Sequence, residues 1–389
     1  MQDVNCAMQD VIIIGGGLAG LVSAIELARL GYLVTLIERK VYPYHRVCGE
    51  YISNEVKGYL TRLGLDLNRL GAADIRQFAF TTPSGRELTA PLDLGGFGIS
   101  RYRLDEALYQ LAIHAGVTFV LGKSVEAVQA GGSGPDGLPV SFTVSSQNGQ
   151  QWQGRVVIGA FGKRSRLDKT FNRAFMQQPS PYVGVKYHVR FANPTAYARD
   201  RITLHNFQDG YCGMSAIEDD RYCLCYLTTR DNVRKHGSVA AMEQAVLYRN
   251  PHLKQIFEQA GHLYEKPEVI NEISFAPKLA VEHHLFMTGD SAGMITPLCG
   301  NGMAMAIHGA RVASQLIGQL LAGAISRGEA ERLYTAQWKQ LFAQRLWVGR
   351  QVQHLFGDAW LSELALTFFK TIPPALHGVM RLTHGQEIR

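Results

Sequence analysis

The stretch of sequence that decides the fold is DVIIIGGGLAGLVSAIELARLGYLVTLIERK, residues 10–40. It begins with a short β-branched run, residues 11–14, which is typical of a buried strand. A helical pattern follows over residues 18–30, and a second buried strand ends at Glu38. Between the first strand and the helix stand three glycines with the spacing G-x-G-x-x-G: Gly15, Gly17 and Gly20.

This spacing has a specific physical purpose. The first glycine permits a tight turn, the second lets the backbone approach a pyrophosphate, and the third allows close helix–strand packing. The free N–H groups and the dipole of the helix N-terminus favour the anion. Glu38 follows Gly20 by 18 residues, where a carboxylate can bind ribose hydroxyls. The order of these parts predicts a Rossmann-like dinucleotide site.

The sequence after Glu38 favours a flavin over a nicotinamide. An NAD-dependent dehydrogenase typically continues with further strand–helix units, whereas here a polar loop follows, RKVYPYHRVCGEYISNE. A short helix is expected at residues 56–63, and then an alternating hairpin turns around residues 83–85.

A second unusual stretch occurs late in the chain, GDSAGMITPLCGNGMAMAI, residues 289–307. Asp290 follows a short apolar run, and a P-x-x-G-x-G spacing precedes a helical pattern. An acid and a bare-backbone turn at a helix start are unusual for a plain globular core.

Together these motifs resemble the FAD-dependent monooxygenase superfamily with the p-hydroxybenzoate hydroxylase fold, over roughly residues 10–321. The geranylgeranyl reductase-like branch is the most similar, because CGEYIS resembles its loop near the flavin. SRYRLDEALYQLAIHAGV resembles the helix whose arginine approaches FAD, and VVIGAFGKRSRL resembles the second strand–turn motif. The resemblance implies an FAD site formed by Gly15, Gly17, Leu18, Ala19, Gly20, Glu38, Arg39, Arg46, Cys48, Gly49, Arg101, Val125, Gly289, Asp290, Pro297, Gly300, Asn301, Gly302 and Met303.

The resemblance also implies the fold class and the place of the late stretch. In such a fold the run LFMTGD forms a strand in the same sheet as residues 11–14, and the N-terminus of the following helix is aimed at the negative charge that develops on the flavin. We expect an α/β protein with a Rossmann-like FAD-binding domain, an inserted antiparallel β-sheet substrate domain and a helical C-terminus. The expected segments are FAD-binding parts at residues 1–75, 98–170 and 271–325, a substrate-sheet hairpin at 76–97, a substrate-binding β-sheet domain at 171–270, and a helical region at 326–389.

The chain departs from the family pattern in three places. Phe161 stands where the hydroxylases carry an acid that contacts FAD and the nicotinamide. In GYCGMS, Gly213 takes the position of a tryptophan found in geranylgeranyl reductases, which leaves space beside the flavin for a bulkier substrate. The W-x-W-x-I-P signature of the halogenases does not occur.

Three residues are candidates for catalysis: Cys48, Glu50 and Tyr211. Cys48 lies beside Arg46 and a helix start, where a thiol can be partly ionised; the alternative is a small packing residue. Glu50 is either a general acid or base or a hydrogen-bonding loop residue. Tyr211 either donates a hydrogen bond to the substrate or is a core aromatic.

Composition limits the partners. The chain has 389 residues and a net charge of +6, with basic residues scattered, so nucleic-acid binding is not expected. Six cysteines without a C-x-x-C pair, and no signal-peptide pattern, favour a reducing cytoplasm. No apolar run is long enough to span a membrane. The aromatic residues after residue 326 are expected to pack mostly against the body of the protein, and the alternative for FFKTIPPALHGVMRL is that it caps an apolar tunnel or touches a membrane surface.

The sequence thus predicts an FAD-dependent oxidoreductase that uses NADPH or NADH. Monooxygenation of an apolar aromatic or lipid-like small molecule is the main hypothesis. Reduction of isoprenoid double bonds is the rival enzyme activity, and a non-catalytic flavin-binding protein is the third alternative. The sequence leaves the oligomeric state open.

Overall fold

The structure is a computed structural model that describes residues 8–134, 136–178, 180–296, 300–353 and 357–388. The strands of these residues are β1 (Gln9–Ile14), β2 (Val34–Glu38), β3 (Tyr51–Ser53), β4 (Ala73–Thr81), β5 (Glu87–Gly98), β6 (Thr118–Leu121), β7 (Val125–Gly131), β8 (Ser141–Ser146), β9 (Gln151–Gly159), β10 (Tyr182–Phe191), β11 (Arg201–Phe207), β12 (Gly210–Ala216), β13 (Tyr222–Thr229), β14 (Ala260–His262), β15 (Glu268–Ile273), β16 (Val281–Glu282) and β17 (Leu285–Met287). The α-helices are α1 (Leu18–Arg29), α2 (Lys57–Arg62), α3 (Arg101–His114), α4 (Arg166–Thr170), α5 (Arg230–His236), α6 (Val239–Ala245), α7 (Pro251–Gln259), α8 (Gly302–Leu321), α9 (Arg327–Gln353), α10 (Ala359–Thr371) and α11 (Pro373–Thr383).

The first sheet, sheet A, has the order β16–β17–β9–β1–β2–β6, and its central strands are parallel. The β-branched centre of β1 is fully buried, as a parallel strand covered on both faces requires. Helix α1 packs against α3 and α8. The late strand β17 pairs with β9, which pairs with β1, so the expectation that LFMTGD joins the sheet of residues 11–14 is confirmed.

The second sheet, sheet B, has nine strands in the order β14–β10–β13–β12–β11–β4–β5–β3, with β15 beside β10. It is antiparallel except for the parallel pair β11–β4. The expected hairpin is β4–β5. Strand β3 also belongs to this sheet, although it lies in the segment expected to bind FAD, and β15 extends the sheet past residue 270.

The two faces of sheet B have different partners. Side chains of α6 and α7, among them Met242 and Leu253, pack against one face and form a buried core with Val185 and Tyr226. The opposite face carries a smaller apolar cluster, whose buried members are Phe80, Leu204, Tyr211, Leu227, Ile273 and Leu366.

The C-terminal region is helical, as expected. Helix α9 packs on α8, α11 packs on α9, and α10 contacts β5 and β11 of sheet B. Leu366 of α10 enters the apolar cluster. Within the described ranges, no helix combines the length and apolarity needed to cross a bilayer. The sequence therefore folds into an α/β protein with a Rossmann-like sheet, an inserted sheet and a helical C-terminus.

Candidate flavin site

The glycine-rich turn between β1 and α1 has the geometry that its spacing predicts. Gly15 has φ of +105°, and a Cβ there or at Gly20 would collide with a backbone carbonyl. A Cβ at Gly17 would instead meet only side chains, 3.8 Å from Nη2 of Arg101 and 4.0 Å from the guanidinium of Arg46. The turn thus opens toward two cations at the N-terminus of α1, which suits a pyrophosphate. Leu18 and Ala19 lie buried in the first turn of that helix.

Glu38 ends β2 beside this turn. Its carboxylate accepts hydrogen bonds from the backbone N–H of Gly16 at 2.7 Å and of Lys40 at 3.0 Å. The hydroxyl of Tyr42 donates to the carbonyl of Gly16 at 2.5 Å. Burial and the nearby Glu38 raise the pKa of Tyr42, so this hydroxyl stays a donor. Glu38 is therefore fixed at the edge of the turn, where the ribose-binding role places it.

Two arginines are oriented toward the turn by one buried carboxylate. Arg101, the first residue of α3, contacts Asp105 through Nε at 2.7 Å and Nη2 at 2.8 Å. Arg46 contacts Asp105 through Nε at 3.0 Å, and its Nη2 donates to the carbonyl of Gly16 at 3.1 Å. Fixed guanidinium groups at a helix N-terminus form a strong oxyanion site. Arg39 is exposed just after β2.

Val125 has a less direct position. It begins β7, close in sequence to Lys123, whose backbone N–H donates to the carbonyl of Glu38 at 3.2 Å. Val125 is thus placed near the β2 end of sheet A and is mostly buried.

The late motif meets the same turn from the other side. Gly289 has φ of +59°, and a Cβ there would lie 3.2 Å from the Cβ of Ala19. Asp290 follows; burial raises the pKa of its carboxyl, and Lys278, Arg101, Lys163 and Arg46 oppose the rise. Four cations thus act on this carboxylate, and two of them, Arg46 and Arg101, border the glycine-rich turn.

The start of α8 offers an acceptor with no partner of its own. Gly300 has φ of +64° and faces the ring of Tyr51, and Gly302 begins the helix. Asn301 is buried and donates from Nδ2 to the carbonyl of Thr383 at 2.6 Å. Its Oδ1 has no hydrogen-bond partner among the described residues, so a ligand N–H can complete it. Pro297 lies outside the described residues.

Hydrogen bonds join the second strand–turn motif to the late motif. The backbone N–H of Gly162 donates to Oγ of Ser291 at 2.9 Å, and Ser291 Oγ lies 3.2 Å from the Gly162 carbonyl. Phe161, in place of the family's acid, packs against the hydrophobic core around sheet A. An apolar contact therefore replaces the carboxylate at this position.

The sequence leaves two alternatives open for Cys48, a partly ionised thiol and a packing residue. Burial raises the pKa of its thiol even though Arg101 opposes the rise. This direction favours the packing residue, because desolvation outweighs the nearby cations. The thiol points to the sulfur of Met303 at 3.5 Å, which favours a packing role at the start of α8. The neighbouring Gly49 is exposed.

Glu50 is buried and held by three donors. Lys186 Nζ donates to Oε1 at 2.8 Å, His188 Nε2 donates to Oε2 at 2.6 Å, and the backbone N–H of Arg101 donates to Oε1 at 3.0 Å. Burial raises the pKa of Glu50, but Lys186 and His188 more than offset it and hold it at about 2. The carboxylate is therefore ionised and saturated, and the hydrogen-bonding role is favoured over the acid–base role.

Tyr211 lies buried in the apolar cluster of sheet B with Leu204 and Leu227. Successive residues of a strand alternate between faces, so Tyr211 and Gly213 share a face with Ser215. Ser215 Oγ donates to the carbonyl of Gly49 at 3.1 Å. The apolar cluster and the loop that contains Cys48 consequently lie on the same side of sheet B.

Sequence reasoning missed Lys186 and His188. The signal was present in YVGVKYHVRF, where two ionisable residues alternate on one face of an otherwise apolar strand. Buried ionisable groups on a strand require partners. Their partner, Glu50, lies 136 and 138 positions away, which no local pattern indicates.

A parallel sheet, a glycine turn open to two arginines and an Asn301 Oδ1 with no partner among the described residues fit a flavin dinucleotide, so the fold and the site define an FAD-binding flavoprotein. The chain belongs to the FAD binding domain family, whose model matches residues 8–346. This membership confirms FAD as the cofactor and confirms the resemblance noted from the motifs.

Known proteins support the same family. Conditioned medium factor receptor 1 of Dictyostelium discoideum is 26% identical over 338 residues, which cover 79% of this chain but only 63% of that protein. A digeranylgeranylglycerophospholipid reductase of Methanoculleus marisnigri is 24% identical over 344 residues, covering 85% of this chain and 81% of that protein. The solved structure of the flavin-dependent brominase Bmp2 has a TM-score of 0.77 at 20% identity and covers 97% of this chain and 93% of its own.

Proposed function

We propose that the chain is a monooxygenase that hydroxylates an apolar aromatic or lipid-like small molecule with NADPH or NADH as electron donor. The observation that carries this proposal is the apolar cluster, which faces the same side of sheet B as the loop containing Cys48. Apolar side chains next to the flavin can contact such a substrate and exclude water. A Cβ at Gly213 would make an ordinary contact with Leu204, at 3.5 Å, so the position tolerates a methyl group, whereas the glycine places no side chain beside Tyr211.

FAD, when bound, supplies the redox chemistry and the reaction with oxygen. The residues of this chain bind and orient it. Arg46 and Arg101 are suited to the pyrophosphate, Glu38 and Asp290 to hydroxyl groups, and the start of α8 to the ring system. Tyr211 is suited to contact the substrate from sheet B.

Reduction of isoprenoid double bonds is the second candidate. It is supported by the C-G-E loop and by the similarity to a digeranylgeranylglycerophospholipid reductase. Both activities use an apolar substrate, so the cluster serves either, and Gly213, where geranylgeranyl reductases carry a tryptophan, counts against the reductase. A flavin-binding protein without turnover remains the third alternative.

One product analysis separates the three. The purified yellow protein is mixed with NADPH or NADH, air and a panel of long-chain phenols and isoprenoid lipids, and products are weighed by mass spectrometry. We expect a product that is one oxygen atom heavier, with the atom coming from isotopically labelled O₂. A product heavier by two hydrogens would establish the reductase instead. No oxidation of either nicotinamide with any compound would support the non-catalytic alternative.

We also propose a peripheral membrane contact through α10. Trp360, Leu364, Phe368 and Ile372 recur every four residues and are 70%, 53%, 48% and 45% exposed. The inner side of the same helix places Leu366 in the apolar cluster. Helix α10 therefore carries these exposed apolar side chains on its outer side and contacts the apolar cluster on its inner side. This arrangement suits uptake of a lipid-like substrate from a bilayer.

The compartment is also a proposal. Cys48, Cys212, Cys223 and Cys225 are free thiols, which supports a reducing environment such as the cytoplasm. Fractionation of cells followed by detection of the protein tests this location.

A further inference from the structure

A short segment joins the flavin site to the substrate sheet. We name residues 46–50 the cofactor loop. On one side, Arg46 reaches the carbonyl of Gly16 at 3.1 Å, and Cys48 reaches Met303 at 3.5 Å. The loop thus touches the glycine-rich turn and the start of α8, the two helix N-termini of the flavin site.

The other side of the cofactor loop is held by side chains of sheet B. Three loop carbonyls each accept one hydrogen bond from a different strand. Lys186 Nζ of β10 donates to the Arg46 carbonyl at 2.8 Å. Ser215 Oγ of β12 donates to the Gly49 carbonyl at 3.1 Å, and Cys223 Sγ of β13 donates to the Cys48 carbonyl at 3.2 Å. These three donors lie on one face of the sheet.

Glu50 completes the attachment. Its carboxylate binds Lys186 and His188, and all three side chains are at most 2% exposed. Buried ion pairs are weak evidence for stability, but they specify geometry, because removal of one partner leaves an uncompensated charge. The low pKa of Glu50, about 2, keeps the carboxylate charged at every working pH despite its burial.

The side chains of Glu50, His188 and Cys223 fit a metal site less well than they fit this attachment. Glu50, His188 and Cys223 each place one ligand atom within 4.8 Å of the others. The Lys186 ammonium, however, already contacts Glu50 at 2.8 Å and would repel a second cation. The Cys223 thiol also has a pKa raised well above its ordinary value by burial.

We propose that Lys186, His188 and Ser215 are positioning residues for FAD, which act by holding the cofactor loop from the substrate sheet. Folding of sheet B and binding of FAD are then coupled: the folded sheet raises the affinity for FAD, and bound FAD stabilises the folded sheet. The proposal rests on FAD binding and is independent of which reaction follows.

The test measures the dissociation constant of FAD on the apoprotein by fluorescence, and the melting temperature with and without FAD. We expect His188→Leu and Lys186→Met to weaken FAD binding about tenfold or more, because each removes a charge-assisted hydrogen bond of the loop. Ser215→Ala is expected to weaken it several-fold, and His188→Gln, which keeps a donor toward Glu50, is expected to bind nearly as wild type. The rise in melting temperature that FAD causes should shrink in the same order.

Cys225→Ala is the matched control, since Cys225 lies two residues from Cys223 on the same face and makes no hydrogen bond to the loop among the described residues. It should lower the melting temperature of the apoprotein without changing the FAD affinity. Unchanged affinity in all loop-contacting variants, or losses equal to the control, would overturn the proposal. If Lys186→Met or His188→Leu does not fold, Ser215→Ala decides the matter, because a wild-type FAD affinity in that variant would overturn the proposal. Failure of the wild type to bind FAD would instead refute the family's cofactor.

Discussion

Glu50 occupies a left-handed backbone conformation, with φ of +54°, that costs a non-glycine residue about 1–2 kcal/mol. The three hydrogen bonds to its carboxylate offset that cost and fix the side chain. At the residue scale, the carboxylate of Glu50 thus orients Lys186, His188 and the backbone of Arg101. Cys48 illustrates the same point, since its protonated thiol packs against Met303.

The pKa of Glu50 predicts a particular acid sensitivity. The folded protein holds it at about 2 instead of 4.5, so the stabilisation is complete above about pH 4.5 and is lost as the pH falls toward 2. Its size is roughly 3 kcal/mol. The free energy of unfolding, measured in denaturant across this range, should fall less steeply in Glu50→Gln than in the wild type. Parallel profiles for the two proteins would contradict this assignment.

Asp290 gives a direct test of the late motif. Asp290→Ala should yield protein largely free of yellow cofactor, because a lost hydrogen bond to a charged group weakens binding about tenfold or more. The ratio of flavin to protein absorbance after purification measures this. Asp93→Ala is the control, since Asp93 is an exposed carboxylate paired with Arg381. A normal flavin content in Asp290→Ala would remove Asp290 from the site.

At the scale of elements, the local parts of the fold were predictable and the long-range parts were not. Strand β1, helix α1 and strand β2 follow from β-branched runs, helical periodicity and glycine spacing within residues 10–40. No local sequence pattern predicts that β3 pairs with β5 in sheet B. The same holds for Lys186, His188 and Glu50, which only the packed sheet brings together.

Helix α10 exposes three large apolar side chains, Trp360, Leu364 and Phe368, which we propose contact a membrane. The triple variant Trp360→Ala, Leu364→Ser, Phe368→Ser should bind vesicles of anionic phospholipid at least about tenfold more weakly, since each side chain contributes roughly 1.5–3 kcal/mol when buried. Co-sedimentation with vesicles measures the bound fraction. A Val140→Ser, Leu279→Ser variant is the control, because these residues are similarly exposed elsewhere, at 51% and 56%.

Two outcomes would contradict the membrane contact. If the wild type does not sediment with any vesicle, α10 needs another partner. If the triple variant sediments as well as the control, the contact lies on a different surface.

At the scale of the whole molecule, one sheet carries the cofactor site and the other carries the apolar cluster, and the cofactor loop joins them. The sequence predicted the two sheets because each has motifs with a distinct period. It could not predict their attachment, because the side chains that donate to the loop carbonyls come from β10, β12 and β13, far away in sequence. The apolar cluster depends on the same long-range packing, since its members come from β4, β11, β12, β13, β15 and α10.

The most direct measurement for the central claim is a two-step mixing experiment. The purified protein is reduced with NADPH or NADH without oxygen, a long-chain phenol or other apolar substrate is added, and oxygen is then admitted while flavin absorbance is followed. The monooxygenase account predicts reduction by the nicotinamide, then an additional short-lived absorbance band before the oxidised spectrum returns. A direct return to the oxidised spectrum without that band, together with a substrate that has gained hydrogen and no oxygen, would contradict it.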